Sequence, residues 1–299
     1  MLKIKLYLGF SDVFGHLYTK SFLGTLYFFR VLFTSVHPTK CDFTASGYSK
    51  NVIIQKDQSF IQNMKTLSIV GTDTDVGKTF VTIALANYWQ NYRSNRDLSH
   101  QFSLSIFKLI QTGTGDVEIY NRLFAETNLI EIIAPLRLTT PVAPPVAAQK
   151  EGKTIELGKI WQAYSLAQQK SDFVLLETLG GLGSPVTNEL IVGNITADWR
   201  LPTILVVPVK LGAISNAVAN VALARSLKID LKGIILNCTQ PKAEAKIEDL
   251  TPPDLIQSLT QVPILGTLPY IENLTDSDKL GKIVANWDIE LMLPKQKVA

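Results

Sequence analysis

Short apolar runs and longer segments of helical periodicity alternate along most of the chain, from residue 64 to about residue 275. Unbroken apolar runs predict strands that are buried on both faces, and apolar residues three and four positions apart predict helices. The predicted strands span residues 67–71, 102–110, 172–177, 202–209, 231–238 and 262–266. The predicted helices span residues 80–92, 117–126, 154–170, 214–228 and 251–259.

This alternation predicts both the fold class and the place of the ligand site. Strands that alternate with helices form an α/β domain with one doubly wound, mostly parallel sheet, and such sheets bind ligands beyond the carboxyl ends of their strands. Two segments depart from the pattern. Residues 136–148 contain Pro141, Pro144 and Pro145 and are predicted to form an irregular loop. Residues 280–293 form an amphipathic tail.

Residues 1–63 differ from the rest of the chain. They are rich in aromatic and basic residues, contain few acids and have no sustained period. Their best apolar run, residues 22–29, is well short of the roughly 20 residues that span a bilayer, and no small-residue cleavage site follows an apolar stretch. We therefore favour a non-functional extension over a membrane anchor or a targeting segment. Met64 stands just before the first core strand, so the working domain is predicted to be residues 64–299.

The composition excludes several kinds of function. The chain of 299 residues is 46% hydrophobic and 18% charged, and its formal net charge of +3 without runs of Lys or Arg argues against a nucleic-acid partner. Two cysteines and three scattered histidines do not support a disulfide framework, a thiolate metal cluster or a histidine-based catalyst. We expect small-molecule partners and chemistry that uses lysines, carboxylates, hydroxyls and Mg²⁺.

A phosphate-binding loop follows the first predicted strand. Residues 67–79 read LSIVGTDTDVGKT and run from an apolar strand through a polar loop into a helix. Backbone N–H groups of such a loop and the positive end of the helix dipole converge on an anion. Lys78 would reach the β- and γ-phosphates of a nucleotide, and the Thr79 hydroxyl would bind Mg²⁺. Five residues separate Gly71 from Gly77, one more than in the usual pattern, but the flanking strand and helix argue against a chance match.

Three further charged residues lie at strand ends or just after them. Lys108 is near the end of the second predicted strand, Asp116 begins the following helix, and Glu177 ends the third predicted strand. Each has an ordinary alternative role, because a lysine can extend to solvent, an aspartate can cap its helix and a strand-end glutamate can be solvated. The carboxyl ends of parallel strands share one edge, so we predict that all three meet Lys78 around a nucleotide, Mg²⁺ and a second anionic substrate.

Five segments resemble the dethiobiotin synthetase family in their order and spacing. They are GTDTDVGKT at residues 71–79, FKLIQTG around Lys108, LLETLGG around Glu177, VPVKLGAISN at residues 207–216 and GIILNC before Pro241. The resemblance covers residues 64 to about 275 and none of residues 1–63. The five-residue spacing of the loop is the form that this family uses.

The resemblance implies an ATP- and Mg²⁺-dependent ring closure in biotin biosynthesis. Enzymes of this family join 7,8-diaminononanoate to CO₂ as a carbamate, ATP phosphorylates the carbamate to a carbamic-phosphoric anhydride, and the second amine closes the ureido ring with release of phosphate. The resemblance also implies a P-loop NTPase type of fold, a homodimer, a cytoplasmic location and no nucleic-acid or membrane partner.

Site residues also follow from the resemblance. Lys108 matches the catalytic lysine, which neutralises the carbamate and assists phosphate transfer. The matched nucleotide-contacting positions are Asp75, Val76, Gly77, Lys78, Thr79, Phe80, Asp116, Glu177, Thr178, Leu179, Gly180, Asn237, Cys238, Pro269, Tyr270 and Ile271. The matched metal ligands are Thr79, Asp116 and Glu177. The matched substrate contacts are Thr112 and, across the dimer interface, Leu211, Gly212, Ile214 and Ser215.

Some positions depart from the family pattern. Leu109 follows the catalytic lysine where the family has proline, and Thr178 and Leu179 replace a small pair after the metal-binding glutamate. Bulk at these last two positions could narrow the approach to the nucleotide.

Other classes of protein share this kind of sheet. Nucleotide-switched partner proteins, such as the partition and division-site ATPases, carry an additional lysine early in the loop, and residues 72–76 contain none. A domain that has lost catalysis is disfavoured because both lysines, the hydroxyl and both carboxylates of the site are present. Another P-loop carboxylate–amine ligase is the nearest alternative.

Overall fold

The computed structural model describes residues 65–93 and 103–292, together with the backbone of three short strands near the amino end. The chain divides into two compact units, residues 1–57 and residues 58–299. In the first unit, β1 (Leu8–Gly9), β2 (Gly15–Lys20) and β3 (Leu26–Val31) form an antiparallel sheet in that order. The predictions of an extension, a targeting segment or a membrane anchor concern residues 1–63, which apart from these strands lie outside the described residues, as does Met64.

A seven-stranded parallel sheet forms the centre of the second unit. Its strands are β4 (Thr66–Gly71), β5 (Leu104–Lys108), β7 (Ile130–Ile133), β9 (Phe173–Gly181), β10 (Thr203–Pro208), β11 (Leu231–Asn237) and β12 (Ile264–Leu268). Their order across the sheet is β12-β11-β10-β4-β9-β5-β7, and every neighbouring pair is parallel. The chain runs from β4 out to the β7 edge, returns through β9 and continues to the β12 edge. The predicted doubly wound fold is therefore confirmed.

Alternate residues of the central strand face two separate hydrophobic clusters. Leu67 and Ile69 of β4 belong to the cluster that α1 (Lys78–Tyr88), α2 (Asp116–Leu123) and α9 (Ser277–Ala285) cover. Val70 belongs to the opposite cluster. The helices that cover this second cluster are α4 (Leu157–Lys170), α5 (Val192–Asp198), α6 (Ala213–Ser226) and α8 (Pro253–Thr260). Burial on both faces explains why the strands consist of unbroken apolar runs.

Three of the elements that the sequence prediction missed have a clear physical reason. The four-residue edge strand β7 and the seven-residue helix α5 are too short to give a clear period. The third, α3 (Pro144–Glu151), lies where the proline content predicts only an irregular loop, so that prediction is wrong. Pro144 and Pro145 occupy the first two positions of α3, where a helix does not use the N–H group that proline lacks. The predicted end of the third strand at residue 177 is also wrong, because β9 continues to Gly181.

The remaining elements are short. They are β6 (Gln111–Thr112), β8 (Arg137–Leu138), α7 (Ile247–Leu250), a π-helical turn (Trp89–Arg93) and two 3₁₀ turns (Ala243–Lys246 and Ile289–Leu291). β6 and β8 pair in parallel and so hold the segment that follows β5. Among the described residues, no helix combines the length and the apolar character that crossing a membrane requires.

Candidate functional site

A cavity opens at the carboxyl ends of β4, β5 and β9, beside the first turns of α1 and α2. Its volume is about 360 Å³. The residues that line it are Thr74, Asp75, Gly77, Lys78, Thr79, Phe80, Lys108, Ile110, Gln111, Thr112, Thr114, Asp116, Ile119, Glu177, Leu179 and Gly180. Most of the predicted phosphate and metal contacts are among them, at the edge where doubly wound sheets bind ligands.

The phosphate-binding loop surrounds an uncapped helix end. α1 begins at Lys78, and its first turn has neither an acidic residue nor a side-chain cap, which suits the binding of an anion. Gly77 has a φ of 85°, and a Cβ atom there would come within 1.9 Å of Asn237 Nδ2. That amide nitrogen donates to the Val76 carbonyl at 2.8 Å, and Lys78 Nζ donates to the Asp73 carbonyl at 3.1 Å. The end of β11 therefore helps to hold the loop.

Four side chains from four different elements meet at the floor of the cavity. Lys108 Nζ of β5 donates to Glu177 Oε1 of β9 at 2.7 Å and also to Asp116 Oδ2 of α2. Thr79 Oγ1 of α1 lies 2.6 Å from Asp116 Oδ1 and 3.2 Å from Glu177 Oε1. Lys108 and Glu177 are direct partners in the β5–β9 register. The sheet therefore brings together residues that the sequence separates widely.

Burial and charge act against each other in this cluster. Burial raises the pKa of Glu177, which is 0% exposed, and the neighbouring Lys108 ammonium opposes that shift. Burial alone would lower the pKa of Lys108, but the carboxylates of Glu177 and Asp116 hold it above its usual value. Burial would raise the pKa of Asp116, and Lys108 instead holds it below its usual value. Burial also lowers the pKa of Lys78. Two ammonium groups and two acids thus share one desolvated site.

The second oxygen of Glu177 has partners that the sequence analysis missed. The Tyr120 hydroxyl donates to Glu177 Oε2, and Thr82 Oγ1 lies 3.3 Å from the same oxygen. Tyr120 is four residues after Asp116 on α2, so the two side chains lie on one face of the helix. This four-residue spacing could have identified Tyr120 as a site residue, because it places the side chain on the face of Asp116 and a buried tyrosine hydroxyl needs a hydrogen-bond partner.

Gln111 was missed as well, although it fixes the start of α2. Its Oε1 accepts from the Val117 N–H at 2.9 Å, and its Nε2 donates to Glu118 Oε2 at 2.8 Å. The same Glu118 oxygen accepts from the Gly115 N–H at 2.8 Å. These bonds close the segment between β6 and α2 and thereby place Asp116 at the cavity.

Of the two bulky residues that depart from the family pattern, only one borders the cavity. Leu179 lines it, whereas Thr178 is 1% exposed and its hydroxyl donates to the Ile69 carbonyl at 3.2 Å. Adjacent residues of a strand point to opposite faces, which explains this difference. Leu109 is also buried in the core rather than lining the cavity.

Apart from Thr112, the predicted base and substrate contacts lie outside the cavity lining, at the ends of the neighbouring strands. Asn237 and Cys238 end β11, residues 269–271 follow β12, and the Cys238 N–H donates to the Leu268 carbonyl at 2.9 Å. Burial raises the pKa of the Cys238 thiol to about 11. Residues 211–215 span the end of the β10–α6 connection and the first turn of α6, with Leu211 86% exposed. Their roles stay predictions.

The donor set of the cluster fits a magnesium ion. Mg²⁺ prefers oxygen ligands and is commonly held by one or two carboxylates together with substrate phosphates. The described residues contain no group of three or more His, Cys, Asp or Glu side chains that could hold a metal. An ion here would therefore use Asp116 and Glu177 together with the Thr79 hydroxyl and nucleotide oxygens.

The chain is similar to proteins of known name. Residues 65–278 match a family described as an AAA domain. The chain is 56% identical over 231 residues to the ATP-dependent dethiobiotin synthetase of Gloeothece citriformis (strain PCC 7424), covering 77% of this chain and 100% of that protein. It is 48% identical over 233 residues to the enzyme of the same name from Synechocystis sp., and the match covers 76% of this chain and 94% of that protein. A ParA family ATPase structure from Chlorobium tepidum TLS covers 77% of this chain and 96% of its own at 12% identity, with a TM-score of 0.46.

Proposed function

Because this chain belongs to the ATP-dependent dethiobiotin synthetase family, we propose that it is an ATP-dependent cyclo-ligase that forms dethiobiotin in biotin biosynthesis. One amine of 7,8-diaminononanoate attacks CO₂, loses a proton to solvent and becomes a carbamate. A carbamate oxygen attacks the γ-phosphorus of ATP and releases ADP. The second amine then attacks the carbamoyl carbon, loses a proton and expels phosphate, which closes the ureido ring.

The cluster of Lys78, Lys108, Asp116 and Glu177 at one edge of the sheet carries this proposal. Phosphoryl transfer between two anions depends mainly on positioning and on neutralisation of charge. A buried site strengthens the neutralisation of charge, because charges interact more strongly where water is excluded. Two ammonium groups in such a site suit a triphosphate and a carbamate.

The phosphates are bound by the loop and by the start of α1. Backbone N–H groups and Lys78 hold the β- and γ-phosphates, and Lys78 is already fixed to the Asp73 carbonyl at 3.1 Å. Thr79, Asp116 and Glu177 are the residues that would hold Mg²⁺. When bound, the ion supplies further neutralisation of the phosphate charge.

Lys108 acts on the acceptor substrate. Its ammonium group lies at the cavity floor, between the two carboxylates and beside Thr112 in the cavity lining. We assign Lys108 to donate hydrogen bonds to the carbamate and to stabilise the phosphoryl group during transfer, and Thr112 to contact the diamine.

The strand ends beyond the cavity supply the adenine contacts and the second half of the substrate site. The side-chain N–H of Asn237 donates to the Val76 carbonyl and so fixes the orientation of the amide. This orientation supports a role in which Asn237 Oδ1 accepts a hydrogen bond from the adenine amine. Cys238 and residues 269–271 border the base. Residues 211–215 of the partner in a cytoplasmic homodimer contact the substrate carboxylate, and the exposure of Leu211, Gly212 and Ser215 supports this assignment.

We assign the activity to residues 64–299. The match to the AAA-domain family begins at residue 65, and 77% of this chain suffices to cover the whole of a dethiobiotin synthetase relative. Deletion of residues 1–63 is expected to leave kcat and KM unchanged. Loss of activity in that truncated protein would contradict the assignment.

The test of the proposed function is an assay of ADP release with the diamine, bicarbonate and Mg²⁺, together with detection of dethiobiotin. We expect Lys108→Ala and Glu177→Ala to lower kcat by about 10²–10³-fold, because each removes charge stabilisation of the transition state. Lys159→Ala and Glu156→Ala are matched controls, since these residues form an exposed ion pair at 2.7 Å. ATP hydrolysis that depends on a protein or DNA surface instead of the diamine would overturn the proposal.

A further inference from the structure

The two oxygens of the Glu177 carboxylate have different surroundings. Oε1 faces the cavity groups, with Lys108 Nζ at 2.7 Å and Thr79 Oγ1 at 3.2 Å. Oε2 faces away from them and accepts from the Tyr120 hydroxyl, with Thr82 Oγ1 at 3.3 Å. A carboxylate with a fixed donor on one oxygen cannot exchange its two oxygens by rotation without losing that hydrogen bond.

Tyr120 is the main donor to Oε2. Thr82 has a single hydroxyl hydrogen, and its Oγ1 lies closer to the Lys78 carbonyl, at 2.9 Å, than to Glu177. Tyr120 is 0% exposed and belongs to the hydrophobic cluster beneath α1 and α2, so its ring has little freedom to move. The hydroxyl therefore presents a donor at a constant position.

The position of Tyr120 on α2 links the two acids of the site. Asp116 is the first residue of this helix, and Tyr120 follows one helical turn later on the same face. One rigid helix thus carries Asp116 to the cavity and a hydroxyl group to Glu177. The spacing between the two carboxylates depends on this single element.

On the basis of the proposed function, we infer that Tyr120 is a positioning residue for magnesium binding. By holding Oε2, it keeps Oε1 of Glu177 directed at the place that Thr79 and Asp116 share. Groups that orient a metal-binding carboxylate commonly change metal affinity by about 10–100-fold when they are removed. Tyr120 itself contacts neither substrate nor nucleotide in this assignment.

Tyr120→Phe tests the inference, and Tyr164→Phe is its matched control. Tyr164 is also buried, but its hydroxyl bonds with Thr66 Oγ1 at 2.9 Å and Gln168 Nε2 at 2.7 Å, at the other end of the strands. The probe is Mn²⁺, whose binding to the full chain with β,γ-imido-ATP is measured by electron paramagnetic resonance. We expect about 10–100-fold weaker Mn²⁺ binding for Tyr120→Phe and wild-type binding for Tyr164→Phe.

Two further variants separate positioning from a general structural effect. Tyr120→Leu also removes the hydroxyl and should weaken Mn²⁺ binding by about 10–100-fold, which provides the same test even if Tyr120→Phe does not fold. In a Glu177→Gln background, Tyr120→Phe should cause little additional loss of Mn²⁺ affinity, because the tyrosine hydroxyl acts through the Glu177 carboxylate. If Tyr120 had a purely structural role, the losses of Mn²⁺ affinity caused by Tyr120→Phe and Glu177→Gln would add.

The outcomes distinguish this inference from the proposed function. If the wild-type chain neither binds Mn²⁺ with the nucleotide analogue nor forms dethiobiotin, the proposed function is wrong. If the wild type does both and folded Tyr120→Phe, or Tyr120→Leu in its place, binds Mn²⁺ with unchanged affinity, the positioning role alone is overturned.

Discussion

The central strands carry buried polar side chains at both ends, and the two groups differ in charge. At the carboxyl end, Lys108, Asp116 and Glu177 form a charged cluster. At the amino end, neutral groups pair with one another: the hydroxyls of Thr66 and Tyr164 at 2.9 Å, and those of Ser105 and Ser171 at 2.7 Å. Both groups lie at ends of strands of the same sheet, and all of their members are buried except Asp116, whose side chain is 34% exposed.

We use the difference in charge to distinguish buried polar groups that stabilise the fold from those proposed to bind a ligand. Neutral hydroxyls bonded to each other satisfy one another at little desolvation cost. Buried ions lose their hydration, and their mutual attraction often does no more than offset that loss. A fold needs no such cluster for its stability, so we explain its presence at the strand ends by the anionic substrates of the proposed function.

The strongest test of this contrast is to leave one buried charge without its partner. Lys108→Met removes the cation between two carboxylates, one of them fully buried, and should lower the free energy of unfolding by about 3–5 kcal/mol. Urea unfolding followed by circular dichroism measures the change.

A double variant shows whether the unpaired charge is the cause. Lys108→Met with Glu177→Gln removes the ammonium and one of its two carboxylate partners, so most of the lost stability should return while activity stays low. If the double variant were as unstable as the single one, packing rather than charge would explain the loss.

The backbone of the carboxyl-end site can be tested at Gly77. A Cβ there must displace Asn237 Nδ2, which would lie only 1.9 Å away, and the backbone has a φ of 85°. We expect Gly77→Ala to destabilise the protein by about 1–3 kcal/mol more than Gly152→Ala, which has a φ of 62° but no heavy atom within 4 Å of the added Cβ.

Thermal unfolding compares the two glycine variants, and ATP-analogue binding by calorimetry adds a second readout. Only Gly77→Ala should weaken nucleotide binding, because it breaks the hydrogen bond from Asn237 to the Val76 carbonyl. Equal effects of the two substitutions on stability and binding would mean that the loop tolerates the displacement of Asn237.

The smallest effect is expected at the amino end. Tyr164→Phe removes one neutral hydroxyl from a group in which Gln168 Nε2 still reaches Thr66 Oγ1 at 3.1 Å. The cost at pH 8 should be about 0.5–1.5 kcal/mol in the free energy of unfolding, with kcat unchanged. A large fall in kcat would contradict the view that the polar groups at the amino ends of the strands have only a structural role.

The pH dependence of this variant provides a further check. Burial raises the pKa of Tyr164 to about 12 from a usual value of 10.0, so folding favours the neutral phenol. The resulting stabilisation is present below pH 10 and is lost as the pH rises from 10 to 12. The stability advantage of wild type over Tyr164→Phe should therefore shrink in urea unfolding at pH 11.

Local sequence patterns predicted most of the fold and the phosphate loop. Six of the seven strands of the parallel sheet were predicted because their segments are rich in apolar residues, although β12 is short and only partly buried. The edge strand β7 and the helix α3 were not, because one is short and the other begins with prolines that signal a loop as readily as a helix start.

The sequence by itself determined that Lys108 ends a strand, that Asp116 begins the next helix and that Glu177 belongs to another strand, because apolar periodicity and turn chemistry are properties of neighbouring residues. Only the tertiary structure decided which atoms meet. The β5–β9 register pairs Lys108 with Glu177, and the packing of α2 brings the Tyr120 hydroxyl to the remaining carboxylate oxygen. Such contacts depend on the relative placement of elements distant in the chain, and no local pattern specifies that placement.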